Sequence, residues 1–143
     1  MKVKEIMTKE FEMIESSESI VHAAKKMKSL NVGVLPIKEG NKIIGVITDR
    51  DMVVRALAED KNVSDVTVKD IMSSEIARCS LEDSIEDAAN IMKEKQVRRL
   101  IVLNDENIPV GIVSLGDIAA KAESEQLVGQ TLEAVSKPCS PTR

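Results

Sequence analysis

The sequence predicts a mixed α/β (α+β) fold made of two copies of one β-α-β-β-α unit, packed sheet to sheet about a pseudo-twofold axis. Three observations predict it: the chain repeats itself at a nearly constant spacing, each copy has a helical apolar stripe, and each copy has two adjacent apolar segments of strand length. One copy, at about 60 residues, is marginal alone. Two copies that bury their sheets against each other form one adequate core.

The internal repeat rests on three pairs of matching segments. The first two pairs are 65 positions apart and the third is 66 apart. The matching segments are Val3–Thr8 with Val68–Ser73, Ser19–Ala24 with Ser84–Ala89, and Gly45 with Gly111. The single extra residue falls in the loop between two predicted strands, where a structural repeat tolerates an insertion.

Both copies predict the same elements in the same order. In the first copy these are an extended segment, a helix, two strands and a second helix, at Phe11–Ile14, Ser19–Ser29, Gly33–Ile37, Lys42–Thr48 and Asp51–Glu59. In the second copy they are Ile76–Cys79, a helix from Ser84, Arg99–Leu103, Ile108–Ser114 and Asp117–Glu123. The predicted domains are repeat 1 at 1–62, repeat 2 at 63–125, and a short helix and tail at 126–143.

The first helix of each copy has the clearest periodic signal. A serine supplies an N-cap, and apolar residues follow at i, i+3, i+4 and i+7. The stripes are Ile20, Ala23, Ala24 and Met27 in the first copy, and Ile85, Ala88, Ala89 and Met92 in the second. This spacing is typical of a helix that is buried on one side.

Composition and charge narrow the function. Apolar residues make up 43% of the chain and aromatic residues 1%, and the net charge is −4. These values argue against nucleic acid binding, which needs basic patches or aromatic stacking platforms. A single histidine, with Cys79 and Cys139 far apart, does not supply the ligands of a structural zinc site. No apolar run reaches the length of a membrane span, so we expect a cytoplasmic protein.

One motif joins each second strand to the following helix. It is Gly45–Asp51 in the first copy and Gly111–Asp117 in the second, each with a hydroxyl residue three positions before an Asp. A hydroxyl and a carboxylate at such a junction can hold a polyhydroxyl ligand such as a ribose. The alternative is that both aspartates are only helix caps and that Thr48 and Ser114 only end strands.

These features resemble a tandem pair of CBS domains, named after cystathionine beta-synthase. The resemblance rests on the Ile-Met-Thr/Ser start, the Ser-Ile and Ala-Ala pairs of the first helix, the strand Gly33–Ile37, and the Gly-x-x-Thr/Ser-x-x-Asp motif. It implies a regulatory module without catalysis or a required cofactor. Such a module binds an adenosine-containing ligand (AMP, ADP, ATP or S-adenosylmethionine) in clefts between the repeats and signals to a partner in trans. It also implies a disc-like homodimer.

The resemblance also implies the site residues. Asp51 and Asp117 would accept hydrogen bonds from ribose hydroxyls, and Thr48 and Ser114 would donate to ribose or phosphate oxygens. The adenine would be walled by Phe11, Met13, Ile14, Ile76, Arg78 and Cys79, and its edge read by strand backbone that includes Pro36, Ile37, Ile101 and Val102. The phosphate candidates are Arg50, Arg98 and Arg99, since a guanidinium matches phosphate oxygens.

The two copies differ where phosphate would bind. Arg98 and Arg99 correspond to Gly33 and Val34 in the first copy. In the turn, Asp49-Arg50 corresponds to Leu115-Gly116. We therefore expect the two sites to have unequal affinity for phosphate.

Two other functions are weighed against ligand sensing. A pure assembly module would use the amphipathic helices that follow the two motifs to form a dimer. An enzyme would need a nucleophile–base pair, metal carboxylates or a phosphate-cradling Gly-x-x-x-x-Gly-Lys loop, and the sequence shows none of these. We therefore do not expect catalysis.

Overall fold

A computed structural model describes residues 1–121 and 125–137. The helices are α1 Val3–Ile6, α2 Ile20–Leu30, α3 Asp49–Met52, α4 Val68–Ile71, α5 Ile85–Lys95, α6 Leu115–Lys121 and α7 Glu125–Ser136. The strands are β1 Ile14–Glu15, β2 Val34–Glu39, β3 Lys42–Thr48, β4 Arg78–Ser80, β5 Arg99–Leu103 and β6 Pro109–Ser114. Helix α3 continues as a π-helical turn at Val53–Leu57, and a 3₁₀ turn follows at Val63–Asp65.

The predicted mixed α/β fold class is confirmed. Each repeat forms a three-stranded sheet in which the first two strands are parallel and the last two antiparallel, in the orders β1-β2-β3 and β4-β5-β6. The parallel pair needs a crossover, which α2 and α5 supply. No helix among the described residues is long and apolar enough to cross a membrane.

The chain divides into two compact units that do not coincide with the sequence repeats. The Asp51 unit is Glu12–Ile76, and the Asp117 unit is Met1–Phe11 together with the chain from Ala77 onward. Each has its own aliphatic core, which a chain with one Phe and no Trp or Tyr requires. Side chains of 0% exposure include Ile37 and Ile47 in the first and Met92 and Val113 in the second.

Helices α2 and α5 begin at the serine caps that their sequences predict. Ser19 Oγ accepts a hydrogen bond from the His22 N–H at 3.1 Å, and Ser84 Oγ accepts one from the Asp87 N–H at 3.1 Å. Both helices end at a residue of left-handed conformation, Asn31 with φ 55° and Gln96 with φ 53°. All four residues of the second apolar stripe are buried, whereas the first stripe buries Ile20, Ala23 and Met27 and leaves Ala24 exposed.

The start of each repeat completes the unit formed by the other repeat. In the Asp117 unit the Val3 N–H donates to Asp83 O at 2.8 Å, next to α1. In the Asp51 unit the Val68 N–H donates to Glu18 O at 2.8 Å, next to α4. We call Met1–Thr8 and Val66–Ser73 the two leaders. Lys2 and Lys4 also bind Glu82 at 2.7 and 2.9 Å and lower the pKa of its carboxyl to about 2.

Two glycines mark the points where the leaders cross the sheets. A Cβ on Gly45 would lie 2.6 Å from Ser73 O and 2.7 Å from Met72 Sδ. A Cβ on Gly111 would lie 2.7 Å from Met7 Sδ and 3.0 Å from Thr8 O. The leaders pair with the strands here through Val46–Ser73 and Thr8–Ile112 backbone hydrogen bonds of 2.8–3.0 Å. The close approach leaves no room for a side chain at either glycine.

Three predicted boundaries are corrected. The helices predicted from Asp51 and Asp117 begin two residues earlier, at Asp49 and Leu115, because Thr48 and Ser114 end the strands and cap the helices. The segment predicted at Phe11–Ile14 forms a strand only at Ile14–Glu15.

The final helix, α7, packs on α5 and α6. The predicted tail beyond Lys137, including Cys139, lies outside the described residues.

We predict that Gly45→Ala or Gly111→Ala lowers the free energy of unfolding by about 1–3 kcal/mol, because the new methyl group overlaps leader atoms. Chemical denaturation monitored by circular dichroism measures the change. Gly129→Ala is the matched control, because a Cβ there meets no atom within 4 Å and the position is helical. We expect it to raise stability by about 0.5–1 kcal/mol. Equal effects at all three positions would contradict the crossing argument.

Candidate functional site

In the Asp51 unit, the predicted hydroxyl and carboxylate bind each other's backbone. Thr48 Oγ1 accepts from the Asp51 N–H at 3.1 Å, and Asp51 Oδ2 accepts from the Thr48 N–H at 2.9 Å. This is a reciprocal capping box that fixes the start of α3. Thr48 and Asp51 therefore both cap this helix.

The Asp117 unit repeats this arrangement. Ser114 Oγ accepts from the Asp117 N–H at 3.0 Å, and Asp117 Oδ2 accepts from the Ser114 N–H at 2.9 Å. Capping uses one oxygen of each carboxylate and leaves the hydroxyl protons free to donate, since a hydroxyl is both donor and acceptor. Each junction thus retains one carboxylate oxygen and one O–H for a further partner.

The remaining carboxylate oxygens have different neighbours. Asp51 Oδ1 lies 3.8 Å from Arg55 Nε, and the Asp51 side chain is 14% exposed. Lys121 occupies the equivalent position of the second repeat, but its Nζ donates to Ile6 O at 3.1 Å. Asp117 forms no ion pair with any residue in the described ranges. Its second oxygen is therefore the less neutralised of the two.

Each junction lies directly beside the first residues of the neighbouring strand. The Asp49 N–H donates to Gly33 O at 3.0 Å, and Val34 pairs with Thr48. In the Asp117 unit the Leu115 N–H donates to Arg98 O at 2.8 Å, and Arg99 pairs with Ser114. The predicted arginine pair and the predicted hydroxyl–carboxylate pair are thus adjacent in space.

Strand pairing sorts the predicted residues of the Asp117 unit onto two faces of its sheet. Directly paired residues project to the same face, and successive residues alternate. Arg99 and Ser114 therefore share a face with Ile101, and Ile101 pairs with Arg78. Arg78 and Arg99 are exposed on this face, whereas Ile101 is 5% exposed; Arg98 precedes the strand and is also exposed, and its Nη2 donates to Ser136 Oγ at 3.5 Å. This face combines cations, an apolar side chain and the hydroxyl.

The opposite face of the same sheet is occupied by the core. Cys79 and Val102 are 6% and 0% exposed and belong to the core cluster of the Asp117 unit. Burial raises the pKa of the Cys79 thiol to about 12, so the group is uncharged and unreactive. A ligand on the opposite face would reach these residues only through backbone groups.

The Asp51 unit is arranged alike but carries different chemistry. Ile14 and Ile37 are 2% and 0% exposed and lie in the core cluster, whereas Pro36, Val34 and Thr48 share the other face. The side chains at the positions of the arginines are apolar or absent. A Cβ on Gly33 would also meet Asp49 Oδ2 at 3.0 Å, so the Asp49 carboxylate occupies that space.

The other predicted residues lie near the ends of the units or on the surface. Phe11, Met13 and Ile76 are half-buried. Arg50 is exposed in α3, and its N–H donates to Asp49 Oδ1 at 2.9 Å. No group of three or more His, Cys, Asp or Glu residues in the described ranges could hold a metal ion.

Sequence reasoning missed one pair of residues that supports both junctions. Arg55 Nη1 donates to Met72 O at 3.1 Å, and Lys121 Nζ donates to Ile6 O at 3.1 Å. Each of these cations comes four residues after the site aspartate of its repeat. Each binds a carbonyl at the carboxyl end of a leader's helix, α4 or α1. The sequence signal that could have found this pair is a basic residue at the same repeat position in both copies.

The family of the chain follows from comparison with known proteins. The model of the CBS domain matches residues 3–57 and 68–124. The chain is 35% identical over 134 residues to the CBS domain-containing protein YhcV of Bacillus subtilis, covering 94% of each chain. It is 31% identical over 136 residues to Hypoxic response protein 1 of Mycobacterium tuberculosis, again 94% of each. The chain belongs to the CBS-domain family.

A solved structure of the same family agrees in fold. It is the CBS domain pair of protein MJ0100 in complex with 5′-methylthioadenosine and S-adenosyl-L-methionine. It superposes with a TM-score of 0.73 at 30% identity, covering 84% of this chain and 98% of that one. The predicted family resemblance is thereby confirmed.

We predict that Asp51→Ala and Asp117→Ala each lower the free energy of unfolding by about 0.5–2 kcal/mol, the usual cost of a lost helix cap. Asp51→Asn and Asp117→Asn keep a side-chain carbonyl that accepts the same N–H, so we expect much smaller losses. Chemical denaturation of the four variants measures both effects. Equal losses for the Ala and Asn variants would show that the carboxylate charge, rather than the cap, stabilises the junction.

Proposed function

We propose that the protein is a non-catalytic regulatory module that binds an adenosine-containing ligand at its two junctions. The single observation that carries the proposal is the pair of capping boxes, each of which leaves a second carboxylate oxygen and a hydroxyl proton outside the cap; at Asp51 that oxygen lies 3.8 Å from Arg55 Nε. Membership of the CBS-domain family supports it, as does the likeness to the MJ0100 domain pair, whose structure contains adenosine derivatives.

The chemistry of the junction matches a ribose. An ionised carboxylate only accepts hydrogen bonds, and the vicinal diol of a ribose offers two donors. The carboxylate oxygen of Asp51 or Asp117 that lies outside the cap would accept from the diol, while the hydroxyl of Thr48 or Ser114 would donate to a ribose or phosphate oxygen. Since the capping box fixes both groups before binding, little side-chain entropy would be lost.

The Asp117 junction is the proposed phosphate site. Arg98 and Arg99 lie beside it, and Arg78 shares the sheet face of Arg99. Guanidinium groups bind phosphate oxygens through paired hydrogen bonds. The Asp51 junction has Gly33 and Val34 in those places; its exposed guanidinium groups are Arg50 and Arg55, and Arg55 already contacts the Asp51 carboxylate and donates to Met72 O. We therefore propose that a phosphorylated ligand prefers the Asp117 junction.

The proposed output is a shift between two states of the protein, read by a partner in trans. A ligand shifts such an equilibrium only by the difference between its affinities for the two states. Unequal junctions would let two adenosine-containing ligands of different charge act separately.

Isothermal titration calorimetry with AMP, ADP, ATP and S-adenosylmethionine tests the proposal. We expect at least one ligand to bind and Asp117→Asn to weaken phosphorylated ligands by roughly 10–100-fold, the scale of a charged hydrogen bond. The double variant Arg98→Ala/Arg99→Ala should weaken ATP more than S-adenosylmethionine, because only the first carries phosphates. Lys95→Ala, an exposed cation on α5 of the same unit, is the matched control and should change neither.

The outcomes that contradict the proposal are specific. No binding heat with any of the four ligands would remove the ligand-sensing function. Binding that survives the double variant Asp51→Asn/Asp117→Asn would remove the junctions as its site. The variant Arg98→Ala/Arg99→Ala would contradict the assignment of phosphate to the Asp117 junction if its affinities for ATP and for S-adenosylmethionine fell in equal proportion.

A second candidate function is an assembly module that binds no ligand and forms the homodimer implied by the resemblance. The exposed apolar residues Val53, Val54 and Leu57, at 54%, 44% and 64% exposure, favour it. Sedimentation velocity separates the two functions. The assembly function requires a dimer at micromolar concentration that Leu57→Asp dissociates and that no adenosine-containing ligand affects.

A further inference from the structure

Arg55 contacts both the candidate site and a leader. Its Nε lies 3.8 Å from Asp51 Oδ1, the carboxylate oxygen that lies outside the capping box. Its Nη1 donates to Ile71 O at 3.3 Å and to Met72 O at 3.1 Å. These carbonyls lie at the carboxyl end of α4, where a helix leaves its last carbonyls without partners of its own. One guanidinium group therefore connects the site carboxylate to the leader Val66–Ser73.

The leader pairs with strand β3 directly after that contact. The Ser73 N–H donates to Val46 O and the Val46 N–H donates to Ser73 O, both at 2.9 Å. Gly45 precedes Val46 and admits the leader, since a Cβ there would lie 2.6 Å from Ser73 O. A change at the carboxyl end of α4 therefore reaches this pair of backbone hydrogen bonds through a single residue.

The Asp117 unit has the leader contact without the site contact. Lys121 Nζ donates to Ile6 O at 3.1 Å, while Asp117 has no ion pair among the residues that the structure describes. Thr8 and Ile112 form the equivalent backbone pair, with hydrogen bonds of 2.8 and 3.0 Å. An ammonium group is a point charge on a single nitrogen, whereas a guanidinium presents several donors in a rigid plane and can bind two acceptors at once. The two units therefore differ in whether the cation also reaches the site carboxylate.

The surroundings of Asp51 make the contact with Arg55 effective. The Asp51 side chain is 14% exposed and the Arg55 side chain is 42% exposed, so water screens the pair only in part. Removing the charge of one partner should change a local opening equilibrium by roughly two- to fivefold, the scale of an ion pair near the protein surface.

We propose that Arg55 is a positioning residue that makes the leader Val66–Ser73 respond to a ligand at the Asp51 junction. The inference rests on the proposed function, because it requires a ribose at that junction. The ribose diol would donate to the same carboxylate oxygen that attracts Arg55 Nε. The guanidinium then loses the contact that orients it, and its hydrogen bonds to the leader carbonyls weaken. The Asp117 junction binds its ligand without this response.

The variant Asp51→Asn tests the connection without any ligand. Asparagine keeps a side-chain oxygen for the cap but has no charge to attract Arg55. We expect the amides of Val46 and Ser73 to exchange hydrogen roughly two- to fivefold faster, measured residue by residue by NMR spectroscopy. The amides of α2 report the stability of the whole unit, so the acceleration is taken relative to them.

Two matched variants identify Arg55 as the cause. Asp117→Asn makes the same change in the unit that lacks the connection, and it should leave exchange at Thr8 and Ile112 unchanged relative to α5. Arg55→Lys places in the first repeat the residue found at position 121. In the Arg55→Lys background, Asp51→Asn should no longer accelerate exchange at the leader.

Adenosine tests the response itself, because it has the ribose but carries no phosphate. Calorimetry establishes saturation, and the loss of affinity in Asp51→Asn establishes that adenosine occupies the Asp51 junction. We expect saturating adenosine to accelerate exchange at Val46 and Ser73 by roughly two- to fivefold relative to α2 in the wild-type chain. The same concentration should have no such effect in Arg55→Lys.

Three results would overturn the inference. The first is unchanged relative exchange at Val46 and Ser73 in Asp51→Asn. The second is an effect of equal size in the Arg55→Lys background, since the leader would then respond without Arg55. The third is adenosine that occupies the Asp51 junction and leaves the two amides unchanged. Absence of adenosine binding would instead contradict the proposed function, and the Asp51→Asn comparison would still decide whether Arg55 connects the site to the leader.

Discussion

The contact between each leader and a strand glycine is the constraint on which the rest of the molecule depends. Gly45 admits Met72 and Ser73, and Gly111 admits Met7, because neither position has a side chain. The two motifs that signalled the repeat, Ile-Met-Thr/Ser and Gly-x-x-Thr/Ser-x-x-Asp, are therefore the two sides of one contact. Each contact joins sequence from both repeats, so neither repeat has a complete core without the other.

The same contacts position the candidate site. Three residues after each glycine the strand ends at a hydroxyl, and the helix that begins there places a cation, Arg55 or Lys121, on the carbonyl end of the leader. The capping box, the leader and the glycine are thus parts of one local structure. Because the aspartate already holds the helix start, its cap role and its proposed ligand role use different oxygens and are compatible.

The sequence predicted the fold class, the family and most element positions because their signals are local or repeated. The stripe beginning at Ile85 and the apolar run Arg99–Leu103 each determine an element within a dozen residues. The exchange of leaders could not be predicted, since the periodic pattern of Val3–Thr8 does not say which repeat it contacts. The register of the sheet could not be predicted from the sequence either. The register places Cys79 and Val102 on the core face and Arg78 and Ile101 on the opposite face.

The differences between the repeats follow a physical pattern. Positions that close the units, such as the two glycines and the two capping boxes, are chemically the same in both. Positions outside these contacts have diverged. Arg98 stands where the first repeat has Gly33, and Ala119 stands where it has Val53. Only the second repeat is followed by a helix, α7, that packs on its own two helices. A core contact constrains both copies equally, whereas an exposed position is constrained only by what it binds. The divergence at the junction rim is therefore the difference on which the proposed preference of a phosphorylated ligand for the Asp117 junction rests.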